Sequence, residues 1–201
     1  MGVYTIALGH GSNVFAIVRG PYSAKVVKLT IGEIPDDEEI IVEFGERGEG
    51  SGQFTWPAGI AVDSQENVFV TDEWLHRVSV FTADGEFLRT FGTAGNGEGQ
   101  FNRPSGITID GNDDIYISDS LNHRIQKLSS EGRFINQWGN RGADAGEFNS
   151  PWGITTDGQG HVYVADHKNH RIQKFSADGE FVFELGGHGK GDNQFDHPSS
   201  V

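Results

Sequence analysis

The chain repeats itself. Pro57, Pro104, Pro151 and Pro198 stand at equal steps of 47 residues. The same step of 47 links Phe44-Gly45, Phe91-Gly92, Trp138-Gly139 and Leu185-Gly186. Asp72, Asp119 and Asp166 share it, as do Arg77, Arg124 and Arg171. A fixed period of about 40–50 residues marks a stacked architecture in which one supersecondary unit recurs. The period also sorts the side chains. Residues present in every copy serve the common scaffold, and a site peculiar to this protein is built where the copies differ.

One copy shows what the unit is. From Pro104 onward, Gly106–Ile109, Ile115–Ser118, Ile125–Leu128 and Phe134–Trp138 are short β-rich runs. Asp110 to Asp114, Asp119 to Arg124 and Ser130-Glu131-Gly132 are turn chemistry between them. Four short strands so joined make an antiparallel meander. The pairs Asp84-Gly85, Glu131-Gly132 and Asp178-Gly179 fall where strands three and four reverse, and glycine there supplies a positive φ. No stretch of about 12 residues free of turn residues carries a helical period. A twisted four-stranded sheet cannot bury both faces alone, but radially stacked copies can, so an all-β propeller is expected. Blade boundaries fall near 1–45, 46–92, 93–139 and 140–186, with 187–201 opening a further blade. The first copy is degenerate: Ile6-Ala7-Leu8 matches Ile60-Ala61-Val62, and the segment from Gly32 to Glu39 holds four acids in a row.

Composition narrows the function. The net charge is −14, which repels phosphate backbones and anionic lipids. There are 0 cysteines, hence no disulfide and no thiolate metal site. No apolar run reaches the roughly 18 residues of a membrane span. The N-terminus lacks the basic-then-apolar form of a signal peptide, and the compartment stays unassigned.

Alternating strand direction sends the long Gly-rich connectors and the Asp…His-Arg turns to one end, here the loop face. The short acidic turns, among them Asp63/Glu66, Asp110/Asp114 and Asp178/Glu180, go to the other end. Six of the 8 histidines fall on the loop face: His76, His123, His167, His170, His188 and His197. The channel mouth there is lined by residues flanking each proline, which differ between copies: Trp56, Arg103, Ser150 with Trp152, and His197. Variation on a loop face reads as a binding surface. Trp74, His167 and Lys168 join the candidates. Trp56 and Trp152 could instead pack between blades. The recurring Asp72/Arg77, Asp119/Arg124 and Asp166/Arg171 pairs read as salt bridges or turn ties within each blade. His76, His123 and His170 recur as well and read as structural. Asp110 to Asp114 lacks the full spacing of a calcium loop and reads as a turn.

Asn122-His123-Arg124-Ile125-Gln126-Lys127 and Asn169-His170-Arg171-Ile172-Gln173-Lys174 resemble the NHL repeat, as does the frame Phe-Gly … Gly-Gln-Phe-x-x-Pro-x-Gly-Ile-x-x-Asp from Phe91 to Asp110. The resemblance covers nearly the whole chain. It implies a propeller that usually closes with six blades, so four blades form an open arc and the chain is expected to be part of a longer protein. The first two blades are also similar to the peptidyl-α-hydroxyglycine amidating-lyase group, through Val14 to Gly20 and Thr71 to Val78. That resemblance implies a central zinc held by three histidines. Here only His76 matches, the residues after the connector prolines are Ala58, Ser105, Trp152 and Ser199, and no tyrosine stands near Ser120-Leu121. One imidazole does not make a zinc site. No cofactor or metal is therefore expected, zinc or calcium entering only with the lyase alternative. Other NHL propellers bind protein or RNA, and the acidic charge disfavours RNA. The expectation is a non-catalytic interaction scaffold taking a protein, peptide or small ligand on its loop face.

Overall fold

The computed structural model describes residues 2–8, 13–20, 23–30 and 42–201. The first sheet holds β1 (Gly2–Leu8), β2 (Asn13–Gly20), β3 (Ser23–Thr30) and β4 (Val42–Phe44). The second holds β5 (Pro57–Val62), β6 (Val68–Asp72), β7 (Arg77–Phe81) and β8 (Phe87–Phe91). A short parallel pair, β9 (Thr93–Ala94) and β10 (Gln100–Phe101), lies in the next connector. The third sheet holds β11 (Pro104–Ile109), β12 (Ile115–Asp119), β13 (Arg124–Leu128) and β14 (Phe134–Trp138). The fourth holds β15 (Pro151–Thr156), β16 (Val162–Asp166), β17 (Arg171–Phe175) and β18 (Phe181–Gly186). Each of the four-stranded sheets is an antiparallel meander in chain order. This is the bladed arc that the period implies. The acidic segment 32–39 lies outside the described residues. Among the described residues no helix is long and apolar enough to cross a membrane.

Burial follows strand position. In the third sheet the second and third strands, Ile115–Asp119 and Arg124–Leu128, are buried along their whole length, because neighbouring blades cover both faces. Its fourth strand, Phe134–Trp138, alternates between partly buried and exposed. Three apolar cores fill the three seams: Phe15, Phe44, Phe54 and Phe81 in the first, Phe69, Phe101 and Ile115 in the second, Tyr116, Phe148 and Phe175 in the third. Phe54, Phe101 and Phe148 are fully buried at 0% exposure, and they explain the Phe-Gly motif. A Cβ on Gly92 would lie 2.4 Å from the Phe101 ring, and Gly92 has φ +89. Glycine is needed there both for the space and for the left-handed backbone.

The first strands converge on the axis, β1 packing on β5, β5 on β11 and β11 on β15. Each of β5, β11 and β15 opens on proline, whose missing N–H suits the first residue of a strand. Each is then bulged between Pro57 and Ile60, Pro104 and Ile107, or Pro151 and Ile154. The bulges hold Gly59, Gly106 and Gly153, whose Cβ atoms would meet the carbonyls of Ser105 (2.4 Å), Trp152 (2.3 Å) and Ser199 (2.7 Å) in the following turn of the arc. Ser199 thus lies beside β15 as the two earlier inner strands lie beside theirs. On the last sheet every residue of β18 is exposed, including Phe181, Phe183 and Leu185.

Candidate functional site

The loop face is held from below by buried carboxylates. Asp119 is fully buried; its Oδ1 accepts the Asn102 N–H at 2.7 Å, and its Oδ2 accepts Asn122 Nδ2 (2.9 Å), Arg124 Nε (2.8 Å) and Gln126 Nε2 (3.1 Å). Arg124 then spreads its guanidinium to the carbonyls of Asn96, Gly97 and Gln100 and to the Gln137 amide. One ion pair therefore wires the whole connector. Asp166 and Arg171 repeat it at 2.8 Å, with Asn149, Asn169 and Gln173 in the matching places.

The second blade departs from this pattern. Asp72 and Arg77 face each other across the ladder, yet they form no ion pair. Asp72 instead accepts backbone N–H groups from Thr55, Trp56, Trp74 and Leu75. Arg77 bonds the carbonyls of Glu49, Gly50 and Gln53, and its Nε is buried without a partner. The reason is local. Leu75 replaces the asparagine that elsewhere donates to the carboxylate, and Ser79 replaces the glutamine, so backbone amides fill the acceptor sites. The expected Asp72/Arg77 tie thus fails as a salt bridge.

The recurring histidines are clamps. His76, His123 and His170 sit in left-handed backbone at φ 53, 56 and 58. The Nδ1 of each accepts a backbone N–H from the next connector, of Arg103, Ser150 and His197 respectively, each at 3.1 Å. Accepting at Nδ1 fixes the neutral Nε2–H tautomer. Burial lowers the His123 pKa, and the cations of Arg141 and Lys168 add to it. A depressed folded pKa means that this ring stabilises the fold fully above the unfolded value of about 6.5 and progressively less as pH falls through that value. His123 ring resonances should titrate with a midpoint below about 6.5, and a midpoint above it would sink the clamp.

Above this scaffold stand the unlike residues. Trp56 is 50% exposed, and the Arg19 guanidinium lies 4.6 Å over its ring. Glu73, nearly buried, pairs at 2.6 Å with the half-exposed Arg103. Trp74 is 65% exposed. Ser150 is buried and Trp152 is 39% exposed, edge-on to His167 at 4.4 Å. Lys168 is exposed beside them. His167 is within 5.1 Å of His197, its Nδ1 bonded to the Pro198 carbonyl. The candidates therefore fall into separate groupings: Trp56 with Arg19, Arg103 with Glu73, and Trp152 with His167 and His197. Both tryptophans are open to solvent on this face. An open groove of about 490 Å³ lies between the second and third blades, lined by His76, Asn96, Phe101, Asn102 and Asn122. Arg19, Glu73 and Asp196 escaped sequence reasoning. Glu73 and Asp196 carried a signal, Glu73 replacing Ser120 and His167 of the other copies and Asp196 replacing Thr55, Asn102 and Asn149.

The carboxylates of the Asp110–Asp114 turn are spent locally. Asp110 accepts the Asn112 and Asp114 amides and the Tyr116 hydroxyl, Asp113 takes Ser64, and Asp114 pairs with Lys127.

Comparison with known proteins agrees with this geometry. The NHL repeat matches residues 54–81, 101–128 and 148–175. Protein brain tumor of Drosophila melanogaster is 44% identical over 43 residues, and the B-box type zinc finger protein ncl-1 of Caenorhabditis elegans is 46% identical over 43. Each match covers 21% of this chain but only 4% and 5% of those proteins. Among solved structures, a protein of unknown function from Bacteroides caccae superposes with a TM-score of 0.71 at 14% identity, over 98% of this chain and 70% of that one. A catalytically inactive virginiamycin B lyase from Staphylococcus aureus, with quinupristin, superposes with a TM-score of 0.61 at 15% identity, over 99% of this chain and 73% of that one. Likeness at such identity speaks for the fold alone. The three matched repeats fall on three of the four meander sheets, so the chain carries NHL repeats on a β-propeller fold.

Proposed function

We propose that the protein is a non-catalytic interaction scaffold whose loop face and channel mouth take a peptide segment of a protein partner. One observation carries this reading: repeat-equivalent positions on an otherwise uniform scaffold present Trp56, Arg103 and His197, each about half exposed. Exposed tryptophan and arginine are the residue types that dominate binding energy at protein interfaces. The groove between the second and third blades is lined by side-chain amides, which suit an extended peptide backbone. The zinc-lyase alternative rests on His76 alone, one imidazole where a zinc centre of that kind takes three. RNA would have to overcome a net charge of −14.

Selection of a displayed random-peptide library on the immobilised protein tests the proposal. Enriched peptides should lose about 2 kcal/mol or more of binding on Trp56→Ala or Trp152→Ala, with the melting transition unchanged. Peptides that bind both variants as well as the parent would place the site elsewhere. Binding of single-stranded RNA, falling steeply with salt, would favour the nucleic-acid reading instead.

A further inference from the structure

Four imidazoles and one carboxylate gather on the loop face at the last blade. The His170 ring lies edge-on to His188 at 4.4 Å and to His197 at 4.3 Å, and His197 is 5.1 Å from His167. The Asp196 carboxylate sits among them. Its Oδ1 is 2.7 Å from His197 Nδ1, 3.6 Å from His170 Nδ1 and 3.8 Å from His188 Nε2. One ligand atom from each of His170, His188 and Asp196 lies within 4.8 Å of the other two. Donors around a tetrahedral zinc ion stand roughly 3.3 Å apart. Side-chain rotation can close the difference, since His188 is 71% and Asp196 53% exposed.

The repeat shows that this grouping is peculiar to one copy. His188 stands where the other connectors have Arg47, Ala94 and Arg141. Asp196 replaces Thr55, Asn102 and Asn149, and His197 replaces Trp56, Arg103 and Ser150. Only His170 belongs to the common scaffold.

We propose that His170, His188 and Asp196 bind a borderline divalent transition ion, Zn²⁺ first among them, with His197 supporting the site through its bond to Asp196. Two imidazoles to one carboxylate suit zinc and its neighbours, whereas calcium and magnesium take oxygen ligands. The His197–Asp196 bond is the outer-shell arrangement that orients a ligating carboxylate.

Loading the site has a structural consequence. His170 Nδ1 already accepts the His197 N–H at 3.1 Å. A neutral imidazole has one ring lone pair. Coordination through Nδ1 uses it directly, and coordination through Nε2 moves the ring proton onto Nδ1. Either way the His197 amide loses its acceptor. The ion and the connector compete for one lone pair, so binding the ion unclamps the connector.

The test is a calorimetric titration of the full chain with ZnCl₂ alone, paired with amide-resolved NMR. The expected result is one Zn²⁺ per chain and a shift of the His197 amide resonance on loading. His188→Ala and Asp196→Asn should each weaken uptake by more than about tenfold, with metal-free melting unchanged, and excess Ca²⁺ should not compete. His161→Ala, at the opposite end of the blade, should leave uptake unchanged. The proposal is overturned by any of three results: no uptake at about 1 mM Zn²⁺, uptake that survives His188→Ala and Asp196→Asn undiminished, or a bound ion that leaves the His197 amide unmoved.

Discussion

Asp119→Ala should cost about 3–5 kcal/mol of unfolding free energy, the loss expected when one partner of a buried ion pair is removed. The substitution strands Arg124, only 7% exposed, and takes the acceptor from the Asn102 amide and from two side-chain amides. A domain's whole stability is about 5–15 kcal/mol, so urea denaturation will register the loss directly. The second blade supplies an internal comparison. Arg77 bonds connector carbonyls as Arg124 does, but without the carboxylate. Arg77→Ala should therefore be milder than Arg124→Ala by about 1.5 kcal/mol or more, the worth of a charged hydrogen bond. Equal losses from the two arginines would mean that the ion pair adds nothing beyond the carbonyl bonds.

Gly106→Ala should cost about 3 kcal/mol or more, through overpacking. Its Cβ would stand 2.3 Å from the Trp152 carbonyl and 3.1 Å from the Ile154 amide nitrogen, both on the inner strand of the next blade. Backbone must move apart, and the seam between the third and fourth blades opens with it. Gly111 lies in the same blade, and a Cβ there would meet nothing within 4 Å. Gly111→Ala should stay within about 0.5 kcal/mol of the parent. A harmless Gly106→Ala would show that the inner strands are not in close contact.

The meander was legible because its signals are local and periodic. Strands such as Ile115–Asp119 and turns such as that at Gly132 follow from β-propensity, turn residues and a period repeated three times. Side-chain pairing is a different matter. Equal spacing placed Asp72 opposite Arg77, as the ladder has them, but it could not say which donors reach a carboxylate first. The outcome was decided by Leu75 and Ser79, two exchanges that the repeat displays but does not weigh. In the sequence the loop-face histidines read as one group. Their division into clamps and a cluster depends on which ring nitrogen faces which amide, which only the folded connector determines. Asp196 shows in the repeat as an exchange for Thr55, Asn102 and Asn149, but its meaning appears only when three rings surround it.

Arg103, Ser150 and His197 all take left-handed backbone, at φ 55, 56 and 53, held there by the clamp of the preceding blade. Arg103 and His197 present half-exposed side chains and Ser150 is buried, and the alphabet at all three positions is restricted. Valine, isoleucine and threonine are penalised by their branched Cβ, and proline is barred by its φ and its missing N–H. Within that alphabet, one codon changes what a slot presents while the backbone that presents it stays put. New specificity in such a propeller can therefore arise slot by slot, without refolding the blades beneath.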